Sequence, residues 1–342
     1  MKVVIKVLDV KDGDAAIVKL TKGKQELIFL IDAGKPAQEE MVFNELKAML
    51  DESNKACPDF ILCTHYDNDH IGGILGIIKR FQQHKPQVWM FKTSEQVNIL
   101  DFKKKLRDYA EEDSIFPSES DAYLTGGAEQ EERYYVEAIR TVEQEMDVIS
   151  FLKTINADCL EPIAENFKIE GWPELKIVSP STELYQKLFP KKFTAEDLIR
   201  SEVEFLKNEQ EDDTPLNVEI DPFDLLDKTK RSSITAPNMG SAMLMITAGN
   251  NRLLFAADAG IQAFDSIPAQ KLEGLYWLKV PHHGSKNNIT SDLIKLMNPK
   301  KTVISGDKLI APLVKRCFEK LGAEVYTTKE NGHIILDEEF DS

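Results

Sequence analysis

The chain has 342 residues, of which 42% are hydrophobic, and its formal net charge at pH 7 is -16. This length is enough for one large globular domain with insertions, so we expect a single domain over residues 1–342. The acidic balance argues against a protein that grips duplex DNA by neutralising many phosphates. The 4 cysteines show no paired spacing, and the sequence shows neither a secretory segment nor a long apolar span. We therefore expect a cytoplasmic protein with reduced thiols and no membrane contact.

Short apolar segments predict a series of strands in the first third of the chain. They lie at residues 3–10, 15–20, 27–31, 60–64 and 88–91. The segment 60–64 is typical of a buried parallel strand. Residues 71–81 carry apolar side chains at helical spacing, so a helix is predicted directly after it.

Two stretches are predicted to be insertions. Residues at about 95–170 predict a helical insertion or lid, and residues at about 183–232 predict a second, acidic and helical one. Within the second insertion we expect helices at 182–189 and 195–208. The acidic run that follows, through residue 227, is expected to be exposed or flexible.

The second half of the chain continues with strands and helices. Strands are predicted at 175–178, 243–247, 252–257, 275–280, 302–304, 325–327 and 334–336, and helices at 291–297 and 311–321. The whole pattern indicates the α/β class.

Residues 65–70 place four potential metal ligands between a strand end and a helix start. These ligands are His65, Asp67, Asp69 and His70. Open α/β sheets commonly carry their chemistry at this kind of loop. Two imidazoles and two carboxylates in six residues suit a pair of divalent ions. The alternative is a solvated acidic turn beside two surface histidines.

Further candidate ligands follow two later strands. Asp258 directly follows the strand predicted at 252–257, and His282 and His283 come soon after the strand predicted at 275–280. Four of the 6 histidines of the chain therefore lie in two short motifs at strand ends, which favours the metal site. His84 precedes a proline and is expected at the surface, whereas His333 follows a turn signal and fits either a near-site or a solvated position.

Together these motifs resemble the metallo-β-lactamase superfamily and, more narrowly, the hydrolase domain of ComEC-type competence proteins. The matching residues lie at 8–10, 13–15, 31–34, 64–73, 257–258 and 280–285. The resemblance implies a four-layer αββα sandwich, here with helical insertions, and metals at one edge between two sheets. It also implies hydrolysis by a hydroxide that bridges two metals. The membrane channel of ComEC is not part of this chain, so a role in DNA transport is not implied.

The resemblance also implies roles for the first motif and its neighbours. His65 and Asp67 would hold one ion, Asp69 and His70 would hold the other, and Asp258 would bridge them. Asp69 therefore takes part directly in catalysis in this scheme.

Three more residues gain roles from the same resemblance. Asp32 would be an outer carboxylate that orients the metal loop, and we include it among the catalytic candidates. Either His282 or His283 would complete the second site. We favour His283 as the ligand, with His282 as an outer partner or a substrate contact.

The ligand set departs from much of the superfamily in one respect. Asp67 stands where an imidazole is usual, and only His84 lies between the first motif and Asp258. One metal site is thus short of a protein ligand and would depend on water, substrate oxygens, Asn238 or Ser241. An oxygen-rich site favours manganese over zinc, although zinc stays possible for the two divalent ions.

The residues after the second histidine motif could contact a phosphate. Ser285 supplies a hydroxyl and Lys286 a charge ahead of a helix that begins near Thr290 or Ser291. The alternative is a solvated loop whose Ser or Thr only caps the helix.

Three functions remain open from the sequence. The first is a metal-dependent phosphodiesterase or nuclease that acts on short single-stranded nucleic acid or a small phosphoester. The second is a hydrolase of a non-phosphate ester, thioester or lactam. The third is a binding module whose insertions, at about 95–170 and 183–232, engage a protein partner.

Overall fold

A computed structural model of the protein describes residues 1–92, 128–190, 220–307 and 312–341. The described residues form a mixed α/β structure with two mixed sheets. The predictions for 93–127, for the helix at 195–208 and for the loop at 209–219 fall outside these residues. The α/β class predicted from the sequence is confirmed.

The first sheet has seven strands. In spatial order they are β13 (Ile334–Glu339), β1 (Lys2–Val7), β2 (Ala16–Lys22), β3 (Gln25–Ile31), β4 (Phe60–Leu62), β5 (Gln87–Trp89) and β6 (Cys159–Leu160). Pairing is antiparallel from β13 to β3 and parallel from β3 to β6. The prediction of a buried parallel strand over 60–64 is confirmed in its first three residues.

The second sheet has six strands. In spatial order they are β12 (Glu324–Thr327), β11 (Lys301–Ile304), β10 (Trp277–Lys279), β9 (Asn251–Phe255), β8 (Met243–Ala248) and β7 (Leu175–Ser179). The strands β12, β11, β10 and β9 are parallel, whereas β8 and β7 continue the sheet in antiparallel fashion. The carboxyl ends of β9, β10 and β11 therefore lie at one edge.

Short helices connect and cover the strands. They are α1 (Glu39–Glu52), α2 (Asn68–Ile71), α3 (Ile74–Arg80), α4 (Ala128–Ile155), α5 (Thr182–Leu188), α6 (Pro222–Lys228), α7 (Ala236–Met239), α8 (Ile261–Asp265), α9 (Ala269–Leu272), α10 (Ser291–Met297), α11 (Pro312–Lys320) and α12 (Thr328–Asn331). Side-chain oxygens of Ser181, Thr235, Thr290 and Thr327 accept backbone N–H groups at four of these helix starts. The local sequence thus determines where these helices begin.

Three hydrophobic clusters hold these elements together. One cluster contains side chains from both sheets, among them Phe29, Phe255 and Trp277. A second joins the other face of the first sheet to α1, α3 and α4, and the third joins the other face of the second sheet to helices such as α10 and α11. Strands such as β3 and β9 contribute alternate side chains to two different clusters, as the two-residue repeat of a strand requires.

The helix predicted over 71–81 is confirmed over Ile74–Arg80 as α3, and Gly72 and Gly73 separate it from α2. A Cβ atom on Gly73 would lie 2.5 Å from the carbonyl oxygen of Ala33, so this close approach requires glycine.

The prediction that the acidic run through residue 227 is exposed was wrong for its last part. There α6 buries Phe223 and Leu226 in the third cluster.

Candidate metal centre

The candidate ligands lie on loops from both sheets that meet at one edge. The loop after β4 carries residues 65–70, and the loops after β9 and β10 carry Asp258 and the two adjacent histidines. The N–H of Ala242 donates to the carbonyl of Thr64 at 2.9 Å, which ties the second sheet to the first metal motif. The N–H of His282 donates to the carbonyl of Ala257 at 3.0 Å and joins the two later loops.

One group of possible ligands consists of His65, His70 and Asp258. Their ligand atoms all lie within 4.8 Å of one another, and the three side chains are buried. The Nε2 atom of His65 is 3.8 Å from Oδ2 of Asp258, and the Nε2 atom of His70 is 3.4 Å from the same oxygen. Two imidazoles therefore face one carboxylate.

A second group consists of Asp69, His70 and His283, again with ligand atoms within 4.8 Å. Oδ2 of Asp69 lies 3.3 Å from Nε2 of His283 and 3.8 Å from Nε2 of His70. His70 belongs to both groups and therefore stands between them.

The other two candidates lie at the margin of these groups. Oδ2 of Asp67 is 3.4 Å from Nε2 of His65, and Nε2 of His282 is 3.7 Å from Oδ2 of Asp258. All six predicted metal ligands are thus brought to one place. His282 joins them, so both adjacent histidines face the centre, one toward Asp258 and one toward Asp69.

Several buried atoms of the centre lack a hydrogen-bond partner within the described part of the chain. They are Nε2 of His65, Nε2 of His70, Oδ1 of Asp67 and Oδ1 of Asp258. Leaving a buried polar group unpaired costs about 1–3 kcal/mol, and a bound ion at this place would satisfy these atoms. Imidazole nitrogens and carboxylate oxygens are the donors that divalent transition metals take in proteins. The residues therefore fit a metal ion.

Asp32 contacts the loop after β4 on the side that faces away from the candidate metal centre. Its two carboxylate oxygens accept the backbone N–H and the hydroxyl of Thr64, each at 2.7 Å. Oδ2 also lies 2.9 Å from Nδ1 of His70, on the side of the ring opposite to Nε2. This carboxylate fixes the tautomer of His70 and directs Nε2 toward the centre, as outer partners of metal-bound imidazoles do.

The other three imidazoles have outer partners as well. Nδ1 of His65 lies 3.1 Å from the hydroxyl of Thr64, and Nδ1 of His282 lies 3.0 Å from Oδ1 of Asn288. Nδ1 of His283 is 3.2 Å from both the carbonyl oxygen and the hydroxyl of Ser305. The Nε2 atoms of His65, His70 and His283 consequently face carboxylates of the centre.

Sequence reasoning missed two of these partners. Asn288 donates through Nδ2 to the carbonyl oxygen of Asp258 at 2.8 Å, in addition to its contact with His282. Its position six residues after the histidine was the only signal available. Ser305 directly follows β11, and its place at a strand exit could have indicated a site residue.

The predicted substrate contacts differ in their surroundings. Asn238 is fully buried, and both polar atoms of its side chain lack a partner among the described residues. The hydroxyl of Ser241 donates to the carbonyl oxygen of Asn238 at 2.8 Å, which is a local bond at the end of α7. Asn238 therefore keeps its side chain available for a ligand, whereas the Ser241 hydroxyl is engaged locally.

The loop after His282 and His283 ends in a residue that caps the next helix, as the alternative to a phosphate contact predicts. Thr290 accepts the N–H of Leu293 at 3.1 Å and so caps α10. The Ser285 hydroxyl accepts the N–H of Asn287 at 3.2 Å, and the side chain of Lys286 is half-buried. A contact of Ser285 and Lys286 with phosphate stays a prediction.

The two remaining histidines lie outside both ligand groups. His84 is exposed, as predicted. His333 accepts the N–H of Asp9 at 2.9 Å through Nδ1, and its Nε2 lies 3.6 Å from Glu45. His333 therefore contacts the backbone of the motif at residues 8–10 and not the candidate metal centre.

The charges of the centre depend strongly on one another. Burial raises the pKa of Asp258, but His70 and His282 more than offset this, so the pKa falls well below its usual range. For Asp69, likewise, the opposing charges of His70 and His283 outweigh burial, and the pKa is lowered. Burial lowers the pKa of His70, yet Asp258, Asp69 and Asp32 raise it well above its usual value. The three carboxylates thus favour the positively charged form of this ring.

No protein-family model matches the chain, and no curated protein matches it. Within the described residues, no helix combines the length and the apolar character needed to cross a membrane. The function is therefore proposed from the geometry of this centre.

The ligand assignment predicts which substitutions remove metal. Asp258→Asn and His70→Ala should each lower zinc or manganese affinity at least tenfold, because His70 belongs to both ligand groups and Asp258 faces three imidazoles. The matched control is His84→Ala, which removes an exposed imidazole outside the centre and should leave affinity unchanged. Elemental analysis after dialysis measures the result. Normal metal content in both site variants would contradict the assignment.

The raised pKa of His70 predicts that metal binding releases a proton at neutral pH. The metal needs the neutral imidazole, so affinity should rise with pH up to the raised pKa of His70 and fall on acidification. Calorimetric titration with zinc in two buffers of different ionisation enthalpy measures the protons released. A heat of binding that does not depend on the buffer would show that His70 is already neutral.

Proposed function

We propose that the protein is a metal-dependent phosphodiesterase or nuclease with the four-layer αββα fold of the metallo-β-lactamase superfamily. The observation that carries this proposal is the convergence of nitrogen and oxygen ligand atoms from three strand-end loops at the edge where two sheets meet, four of them without a hydrogen-bond partner among the described residues. The fold assignment is supported by the three hydrophobic clusters, one between the sheets and one on each outer face.

Two divalent ions at this centre would supply an activated water and neutralise the charge of a phosphodiester. In this proposal His65 and Asp67 hold one ion, and Asp69, His70 and His283 hold the other. Asp258 lies between the two groups. The carboxylates make manganese the favoured ion, and the imidazoles keep zinc possible.

The exposure of the ligand side chains indicates the side from which substrate enters. The side chains of Asp69 and Asp67 are 22% and 16% exposed, whereas those of His70 and Asp258 are 0% and 3% exposed. A substrate would therefore approach over the two aspartates. Asp69 is accordingly the ligand best placed to act on the reacting group, while Asp32 acts behind His70 by fixing its ring.

The substrate class follows from the charge of the chain. A net charge of -16 opposes the broad neutralisation that a long duplex needs. A short single strand or a small phosphoester requires only local contacts, for which Asn238, His282, Ser285 and Lys286 are the candidates. Their hydrogen-bond donors can orient phosphate oxygens next to the metal centre.

The test is manganese-stimulated cleavage of bis-para-nitrophenyl phosphate and of short single-stranded DNA and RNA. Wild type should cleave, and Asp69→Ala should lose more activity than the roughly 100-fold that outer-partner changes cost. His84→Ala is again the control and should retain full activity. An active wild type with an unimpaired Asp69→Ala would refute the site. Cleavage of esters, thioesters or lactams with phosphodiesters untouched would move the protein to that hydrolase class.

The orienting role of Asp32 predicts a graded defect. Asp32→Asn keeps the size of the side chain, but the amide cannot accept from Thr64 and His70 with both of its polar atoms. We expect a loss of about 10- to 100-fold in metal affinity and activity, without loss of the folded structure. The expected loss should be recovered in part by raising the manganese concentration. A defect that added metal does not change at all would assign Asp32 a different role.

A further inference from the structure

A buried lysine lies beneath the metal centre, between the two sheets. Lys279 ends β10, where Trp277 contributes to the cluster between the sheets and Leu278 to the cluster on the outer face. Side chains alternate along a strand, so Lys279 points in the same direction as Trp277. Its side chain is only 5% exposed. A charged group at this position requires a partner.

The partner of Lys279 is Asp14, which belongs to the loop between β1 and β2 of the other sheet. Nζ of Lys279 donates to Oδ2 of Asp14 at 2.8 Å, and the Asp14 side chain is 9% exposed. Burial raises the pKa of Asp14, but Lys279, His283 and His70 together outweigh burial and lower the pKa below its usual value. The ion pair therefore connects the two sheets.

A hydrogen-bond chain leads from this pair to a candidate ligand. The hydroxyl of Ser305 donates to Oδ1 of Asp14. The carbonyl oxygen and the hydroxyl oxygen of Ser305 both lie 3.2 Å from Nδ1 of His283. Because the hydroxyl proton is given to Asp14, Ser305 presents only acceptors to the ring. Nδ1 of His283 then donates to Ser305, so in the neutral ring the lone pair of Nε2 faces Asp69 and is open to an ion.

The turn at Gly13 and Asp14, between β1 and β2, also contacts the backbone of Asp69. The N–H of Asp14 donates to the carbonyl oxygen of Asp69 at 3.0 Å. A Cβ atom on Gly13 would lie 2.6 Å from that oxygen, so the turn packs directly on the backbone of this ligand. Asp14 thus contacts one ligand through its backbone and a second through the Ser305 hydroxyl.

Lys279 and the other outer carboxylate border the same small cavity. Asp14, Asp32, Thr64 and Lys279 line this cavity, which has a volume of about 20 Å³. Asp32 contacts His70, and Asp14 is linked to His283 through Ser305. The carboxylates connected to these two imidazoles therefore border the same cavity as the buried lysine.

We propose that Asp14, Ser305 and Lys279 form a positioning relay that fixes the ring of His283 opposite Asp69, with Lys279 as the buried counter-cation of Asp14. This inference rests on the proposed function, since the ion held by Asp69, His70 and His283 is the one that the relay serves. None of the three residues contacts the reacting atoms. They act through the orientation and the tautomer of His283.

The test separates a relay from an ion pair that only holds the sheets together. Ser305→Ala removes the hydroxyl and keeps the carbonyl oxygen, Asp14→Asn removes the charge, and Ser305→Thr restores a hydroxyl. Ser305→Ala and Asp14→Asn should each weaken zinc binding about 10- to 100-fold in competition with a chelating dye, and Ser305→Thr should recover most of it. Ser305→Ala also leaves Oδ1 of Asp14 without this donor, so melting temperatures are measured and zinc affinity is compared per folded molecule.

A second cross-sheet ion pair provides the control. Lys301 of β11 contacts Glu338 of β13, so it also joins the two sheets, but neither residue contacts a candidate ligand. Lys301→Met should change the melting temperature without changing zinc affinity. Lys279→Met should lower zinc affinity, and the double variant Asp14→Asn with Lys279→Met should fold better than Lys279→Met alone, because no buried charge is left unpaired.

The tautomer of His283 gives a readout that needs no metal. Nitrogen NMR of the metal-free protein, at a pH where the ring is neutral and with His283→Gln to assign the signal, should show the proton on Nδ1 in wild type. In Ser305→Ala and Asp14→Asn the fraction of the other tautomer should increase. An unchanged tautomer together with unchanged zinc affinity per folded molecule would overturn the relay. A wild type that binds no zinc or manganese would refute the proposed function instead, and the tautomer would still decide the relay.

Discussion

The structure depends on the burial of several carboxylates and imidazoles at the edge where the two sheets meet. Asp258, Asp69, His65 and His70 are held within a few ångströms of one another, and part of their polar atoms have no partner among the described residues. Bringing charges together out of water is costly unless opposite charge is added. A divalent cation between the ligand groups would supply that charge, and the buried carboxylates and imidazoles could hold one.

The fold orients the imidazoles of the centre through hydrogen bonds on the side of each ring that faces away from the centre. Every imidazole of the centre contacts a polar partner through Nδ1. The partners come from different places: Thr64 and Asp32 from the first sheet, Asn288 and Ser305 from loops of the second. The two-sheet architecture thus does more than bury apolar surface. It brings outer partners from both sheets around one set of ligands, and the pair of Asp14 and Lys279 connects them below the centre.

Much of the centre could be predicted from the sequence, because the relevant residues follow short apolar strands. His65 to His70, Asp258 and the pair at 282–283 all lie at strand exits, and parallel strands place their carboxyl ends at one edge. Asp32 was predicted as an outer partner of the loop, and the structure places it against His70. The exposed position of His84 followed from its polar, proline-flanked surroundings.

The rest could not be predicted, because it depends on contacts between distant segments. Asp14 and Lys279 are 265 positions apart in the chain, and only the packing of one sheet on the other joins them. The break at Gly72 and Gly73 depends on the approach of the loop at Ala33, which no local pattern indicates. In α6 the acidic surroundings concealed Phe223 and Leu226, whose spacing of three residues indicates one buried helical face. The average charge of the acidic run does not indicate that two apolar side chains within it are buried.

The central claim is that this edge is a divalent-metal centre, and anomalous diffraction from crystals soaked in manganese tests it most directly. The account predicts density between the ligand groups, about 2.0 to 2.3 Å from Nε2 of His70 and from oxygens of Asp258 and Asp69. Two peaks separated by about 3.5–4 Å would agree with the dinuclear centre that the proposed hydrolysis uses. Manganese bound elsewhere, with none between His70, Asp258 and Asp69, would contradict it.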